Sequence, residues 1–106
     1  MSMTVVVTRN APDRYRGFLA SCMLELAPGV YTSPHMNEAV RERVWAVCCE
    51  WAGVLPDDGG VLMTWRERQE PSGQAVRVLG WPKKEFVELD GMWLDRTDGG
   101  GSVKTE

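Results

Sequence analysis

The chain holds a single histidine, His35, among its 106 residues. One copy therefore cannot assemble a multi-histidine metal site, nor a catalytic group that needs a second imidazole. Its three cysteines, Cys22, Cys48 and Cys49, lack the C-x-x-C spacing of a metal knuckle and the even count of a secreted disulfide framework. Reduced, buried thiols are expected. No surplus of positive charge coats the molecule, since the formal net charge is -3. No apolar run approaches the roughly 20 residues that span a bilayer, and no charged leader precedes an apolar signal core. The protein is expected to be soluble and cytoplasmic. Ser21 and Ser102 stand in no nucleophile-elbow context.

What is present fits one compact domain, small enough that a modest core leaves a role for a partner subunit, so an oligomer is expected. Met3 to Thr8 is a β-branched run that reads as a buried strand. Asn10-Ala11-Pro12-Asp13 then stops the strand and opens a helix, with Asn10 or a neighbour as cap and Asp13 favoured by the helix dipole. Tyr15, Phe18, Leu19, Cys22, Met23 and Leu26 follow at the spacing of one apolar helix face. Pro28-Gly29 ends that helix, and Val30-Tyr31-Thr32 reads as a short strand. Ser33-Pro34 looks like a second cap, opening a helix through about Trp51. Met36, Val40, Val44, Val47, Cys48 and Trp51 form its buried stripe, with Glu38, Arg41, Glu42 and Arg43 toward water.

Beyond the Gly53–Gly60 loop, Val61–Arg66 and Ala75–Leu79 read as a hairpin around Pro71-Ser72-Gly73. The order to this point is βαβαββ. Phe86–Leu89 and Met92–Leu94 form a further hairpin around Asp90-Gly91, with no helix left to cover it. Residues 97–106, rich in glycine, read as a flexible tail after a domain over residues 1–96. The pattern predicts an α+β, ferredoxin-like fold, with two helices laid on one face of a mainly antiparallel sheet.

The arginines carry the chemistry. Charge is polarised, with Arg9, Arg14 and Arg16 facing Asp13 alone near the start, and Arg77, Lys83 and Lys84 gathered late. Arg14 and Arg16 sit where a helix start also presents backbone N–H groups, so charge and dipole both favour phosphate. Neither cluster has a base-reading signature, which points to backbone gripping, and a two-fold dimer would double both into a basic track for duplex DNA. A metal-dependent nuclease would instead want an acid at the end of the first strand. Arg9 stands there and would repel a cation, while Asp13 is already explained by the helix dipole. His35 reads as an exposed first-turn residue, and Cys48 as packing, since apolar burial raises a thiol pKa.

MSMTVVVTRNAPDRYRGFLA, LELAPGVYT, the Trp45-bearing second helix, VLMTW and GWPKKEFVELDG together resemble one family. It is that of the small CRISPR-associated adaptation protein, Cas-two, of subtype I-E, often labelled an endoribonuclease. The resemblance covers roughly residues 1 to 95. It implies a ferredoxin-like homodimer that spans the middle of a captured double-stranded DNA spacer precursor, while integrase subunits join its ends to the CRISPR array. Carried over, Arg14 and Arg16 would contact DNA backbone, with Arg77, Lys83 and Lys84 as further basic contacts. Lysine at the late pair keeps charge but loses the bidentate fork. Glu70 and Glu88-Leu89-Asp90 would match positions that hold the integrase. Metal-dependent relatives resemble a V-V-V-x-D pattern, from which Arg9 departs, so no catalytic residue is carried over. The structural role requires no cofactor. A competing reading is a metal-dependent endonuclease using magnesium or manganese on RNA or double-stranded DNA, and a weaker one is a toxin-like ribonuclease.

Overall fold

A computed structural model describes residues 2–80 in full and, further along, the backbone of two strands at Glu85–Leu89 and Met92–Arg96. The elements run β1 (Ser2–Arg9), α1 (Asp13–Cys22), β2 (Leu24–Ala27), β3 (Val30–Met36), α2 (Glu38–Glu50), β4 (Gly60–Arg66) and β5 (Gln74–Gly80). A single 3₁₀ turn, Ala52–Val54, follows α2. The strands pair antiparallel in the order β2-β3-β1-β4-β5. Thus β1 lies between β3 and β4, and each helix crosses over one intervening strand, the split βαβ arrangement of the ferredoxin-like fold. The α+β expectation holds. A separate two-stranded sheet joins β6 (Glu85–Leu89) to β7 (Met92–Arg96), with Leu89 opposite Met92, as the late hairpin predicted.

Strand alternation divides the main sheet into two faces. Val6, Tyr31, Val61, Met63 and Trp65 point into the core with Tyr15 and Leu19 of α1 and Val44 and Cys48 of α2. The opposite face carries Val5, beside Thr32 and Thr64, and Leu24 and Val76 at the ends of the same cross-strand row. Val7, beside Val30 and Leu62, forms the next row.

Three local expectations are corrected. The first helix stops at Cys22, and LELA becomes β2 rather than the helix's last turn. Met23 is already extended, and the Leu24–Ala27 backbone pairs with β3 across a turn in which Gly29 takes a φ of +82°. Ladder hydrogen bonds there outweigh continuation of a helix whose next leucines would find no core. The missing strand makes the order βαββαββ. Second, β3 continues through Met36, so Ser33-Pro34 opens no helix and His35 is an exposed strand residue. The pairing of β1 with β3 slips between Ser2 and Thr4, opposite Pro34 and His35, and a bulge accommodates a residue with no N–H to donate. The cap of α2 is Asn37, whose Oδ1 accepts from the Val40 N–H at 2.8 Å. Third, Arg41 is buried at 6 % exposure, while Val40, expected inside, is 42 % exposed.

Asn10 does not cap α1. It adopts a φ of 54°, and its Nδ2 donates to Asp58 Oδ1 at 2.7 Å, fastening the end of β1 to the loop before β4. Pro12 occupies the cap position with no side-chain hydrogen bond, and its fixed φ leads into the first turn. Among the described residues, no helix is long and apolar enough to cross a membrane.

Candidate nucleic-acid interface

Arg14 and Arg16 project from the first turn of α1 because Tyr15, between them, is fully buried. The Tyr15 hydroxyl donates to the Cys48 carbonyl at 3.0 Å and locks α1 onto α2. That contact forces its neighbours outward, and both arginines are exposed. Their surroundings differ. The Arg16 side chain, 70 % exposed, donates from Nε to Glu25 Oε1 at 3.3 Å. Glu25 is held in turn by the Gly29 N–H, which donates to Oε2 at 3.3 Å. An exposed pair of this kind contributes little to stability and leaves the terminal nitrogens of Arg16 available. Among the described residues Arg14 has no carboxylate partner; its guanidinium carbon lies 5.5 Å from the centre of the Trp51 ring.

Arg77 belongs to a different constellation. Its two terminal nitrogens fork onto Glu42, each at 2.9 Å, and its guanidinium lies 4.9 Å from the Trp65 ring centre. Arg41 lies 4.1 Å from the same ring. The fork from Arg77 holds the Glu42 carboxyl below its ordinary value, and the indole N–H of Trp65 does the same for Glu67. Among the described residues Arg41 Nε is buried without a hydrogen bond, with Glu42 Oε2 3.8 Å away. The cluster therefore combines structural arginines with a cleft of about 520 Å³ walled by Glu38, Glu42, Glu67 and Glu70. Glu70 sits in the exposed turn between β4 and β5, where its carbonyl accepts from the Gly73 N–H at 2.8 Å.

Lys83, Lys84 and Asp90 lie outside the described residues. Glu88 and Leu89 pair in register with Trp93 and Met92 in the late hairpin. The structure thus exposes Arg14 and Arg16 on either side of buried Tyr15, one against Trp51 and the other against Glu25, assigns Arg77 to Glu42, and sets Glu70 among further acids. Sequence reading missed Trp51 and Trp65 as arginine supports, and it placed Arg41 toward water. The position of Arg41 three and seven residues before Val44 and Cys48 was a usable signal, since it lies on the buried stripe.

Arg9 occupies the end of β1 opposite Gly60, and Asp58, the acid joined to that end, already accepts from Asn10. Among the described residues no cluster of three or more His, Cys, Asp or Glu side chains could hold a metal ion. Burial pushes the Cys48 thiol up to about 12, which leaves little thiolate near neutrality.

The family model described as CRISPR-associated protein (Cas_Cas2CT1978) matches residues 3–94. The chain belongs to this CRISPR-associated, Cas2-like family. The matched region takes in the main sheet, both helices and most of the late hairpin. In this chain Arg14 and Arg16 are exposed on α1, as are Arg9, Arg43, Arg66 and Arg68 elsewhere, and an acidic cleft lies beside Trp65.

Proposed function

We propose that this protein is the homodimeric, DNA-holding structural subunit of a CRISPR integrase complex of the subtype I-E kind. It grips a double-stranded spacer precursor in the cytoplasm while the integrase inserts the ends into the array. The observation that carries this reading is the exposure of Arg14 and Arg16 in the first turn of α1, with Arg14 unopposed by any carboxylate among the described residues. Phosphate contacts of this type are independent of base sequence and weaken steeply with salt, because each displaces condensed counterions.

The open sheet face supports the two-fold. Leu24, Leu26, Met3 and Val78 are 63 %, 60 %, 53 % and 41 % exposed, an apolar surface of the kind a second copy covers. The acidic cleft with Glu70 supports docking of a basic segment of the integrase, whose remaining contacts would come from Glu88, Leu89 and Asp90. Arg77, forked to Glu42, would reach DNA only by leaving that carboxylate, so Lys83 and Lys84 are the stronger late candidates. The role requires no cofactor and no catalytic residue of this chain.

The test is co-purification with the host's integrase, followed by integration of a labelled duplex. Arg14→Ala/Arg16→Ala should keep the dimer and the integrase but lose most DNA loading and spacer acquisition. Unchanged acquisition would sink the reading. So would magnesium- or manganese-dependent cleavage of RNA or DNA by highly purified protein that disappears on Asp13→Asn, which would assign a nuclease instead.

A further inference from the structure

Trp51 closes the C-terminal end of α2, partly buried, and its ring is gripped from α1. Tyr15 meets it edge-on at 5.5 Å and 88°, and Phe18 at 5.7 Å and 81°. Those two contacts fix the indole plane, because Tyr15 is itself anchored on the Cys48 carbonyl. Arg14 lies over the ring so fixed. A guanidinium held by a carboxylate has its charge offset and its donors occupied by that partner, as Arg77 has by Glu42. A guanidinium held against an aromatic face keeps its charge and directs its N–H groups outward in its own plane, the geometry that meets phosphate oxygens two at a time.

We propose that Trp51 is a positioning residue for DNA binding: it holds Arg14 in a pre-ordered, fully charged pose and makes it the principal phosphate contact of α1. The inference rests on the reading that Arg14 and Arg16 grip DNA. Arg16, tied through Nε to Glu25, is the weaker of the two, its charge partly offset by a fixed anion. Long side chains lose rotamer freedom when they bind, and a residue already held loses less. Removing the platform should therefore weaken binding without removing the charge.

The experiment measures equilibrium binding of a random-sequence DNA duplex to the intact dimer, across a salt series, by fluorescence anisotropy. Trp51→Leu should raise Kd about five- to 150-fold, the range expected for freeing one long side chain in each of the two copies. Trp51→Phe, which keeps a ring face, should stay within about twofold of wild type. Arg14→Ala should weaken binding more than Arg16→Ala and should flatten the salt dependence, because a phosphate contact is gone. Trp51→Leu should retain the steeper salt dependence. In an Arg14→Ala background, Trp51→Leu should cost nothing further. If it costs as much there as in wild type, Trp51 acts only through the fold and the inference fails. An equal loss from Trp51→Phe and Trp51→Leu also overturns it. Should Trp51→Leu not fold, the Trp51→Phe and Trp51→His pair decides by the same cycle. If Arg14→Ala/Arg16→Ala leaves binding intact, the DNA-grip reading itself has failed; if that variant loses binding while Trp51 variants do not, only the positioning role is lost.

Discussion

Lysine in place of Leu24 should drive two copies apart while leaving each one folded. Leu24 is already 63 % exposed in a single copy, so the substitution removes little of the core, and monomer stability should change by less than about 0.5 kcal/mol. In a two-fold dimer through the open sheet face the same position is buried twice. Full burial of a leucine side chain contributes roughly 1.5–3 kcal/mol, and about two thirds of that remains to be gained, so each copy loses roughly 1–2 kcal/mol. Two copies lose about 2–4 kcal/mol, before the added cost of bringing two ammonium groups into an apolar seam. The dimer dissociation constant should rise by about 30-fold to 1,000-fold. Sedimentation equilibrium over a concentration series reads this directly, and Val40→Lys, an exposed valine on α2, is the control that should leave association unchanged. Equal effects from the two substitutions, or an unaltered dissociation constant in Leu24→Lys, would refute assembly through this face. DNA affinity should fall with the dimer, since half of the phosphate contacts are lost.

Acid should act through the Glu42–Arg77 fork. The carboxyl is held below its ordinary 4.5 by hydrogen bonds from Arg77, so its stabilisation is complete above that value and is lost as pH falls through the lower folded-state value. Because the Glu42 side chain is 45 % exposed, the effect is about 1 kcal/mol or less, and the thermal difference between wild type and Glu42→Gln should vanish in strong acid. Cys48, ordinarily titrating at 9.0, is raised to about 12, so its contribution is intact below 9.0 and is lost as pH climbs toward 12. An aromatic disulfide reagent at neutral pH should label exposed Cys22 and Cys49 and reach Cys48 only in denaturant. Gly29→Ala should destabilise by more than about 1 kcal/mol, seen as a lower Tm, since its φ is +82° and a Cβ would stand 2.8 Å from the Thr8 carbonyl oxygen.

Several features were readable from local spacing because each depends on one element's own periodicity. The β4–β5 hairpin, the first strand, the start of α1 and the Val44–Cys48 stripe are of this kind. The exposed arginine pair belongs with them: Tyr15 is an apolar residue on a helix stripe, and its neighbours must then face away. LELA was ambiguous, because four residues with two leucines satisfy a helix end and a strand equally well. Pairing with β3 settled it. Pro34 looked like a helix opening because proline suits that position, yet a bulge offers it an equal place.

The partners of the arginines lay beyond any local pattern. Arg77 and Glu42 stand 35 residues apart and meet only because β5 packs at the α2 side of the sheet. Arg41 shares their ring, since Trp65 on β4 lies between the helix and β5. Arg14 finds Trp51 only when α1 docks beside the end of α2. Composition and spacing set which residues are charged, which segments can be helix or strand, and which family the motifs resemble. Folding chose which charges remain available to a polyanion: an arginine's value as a phosphate contact depends on the neighbour that holds it, and that neighbour is supplied by a distant element.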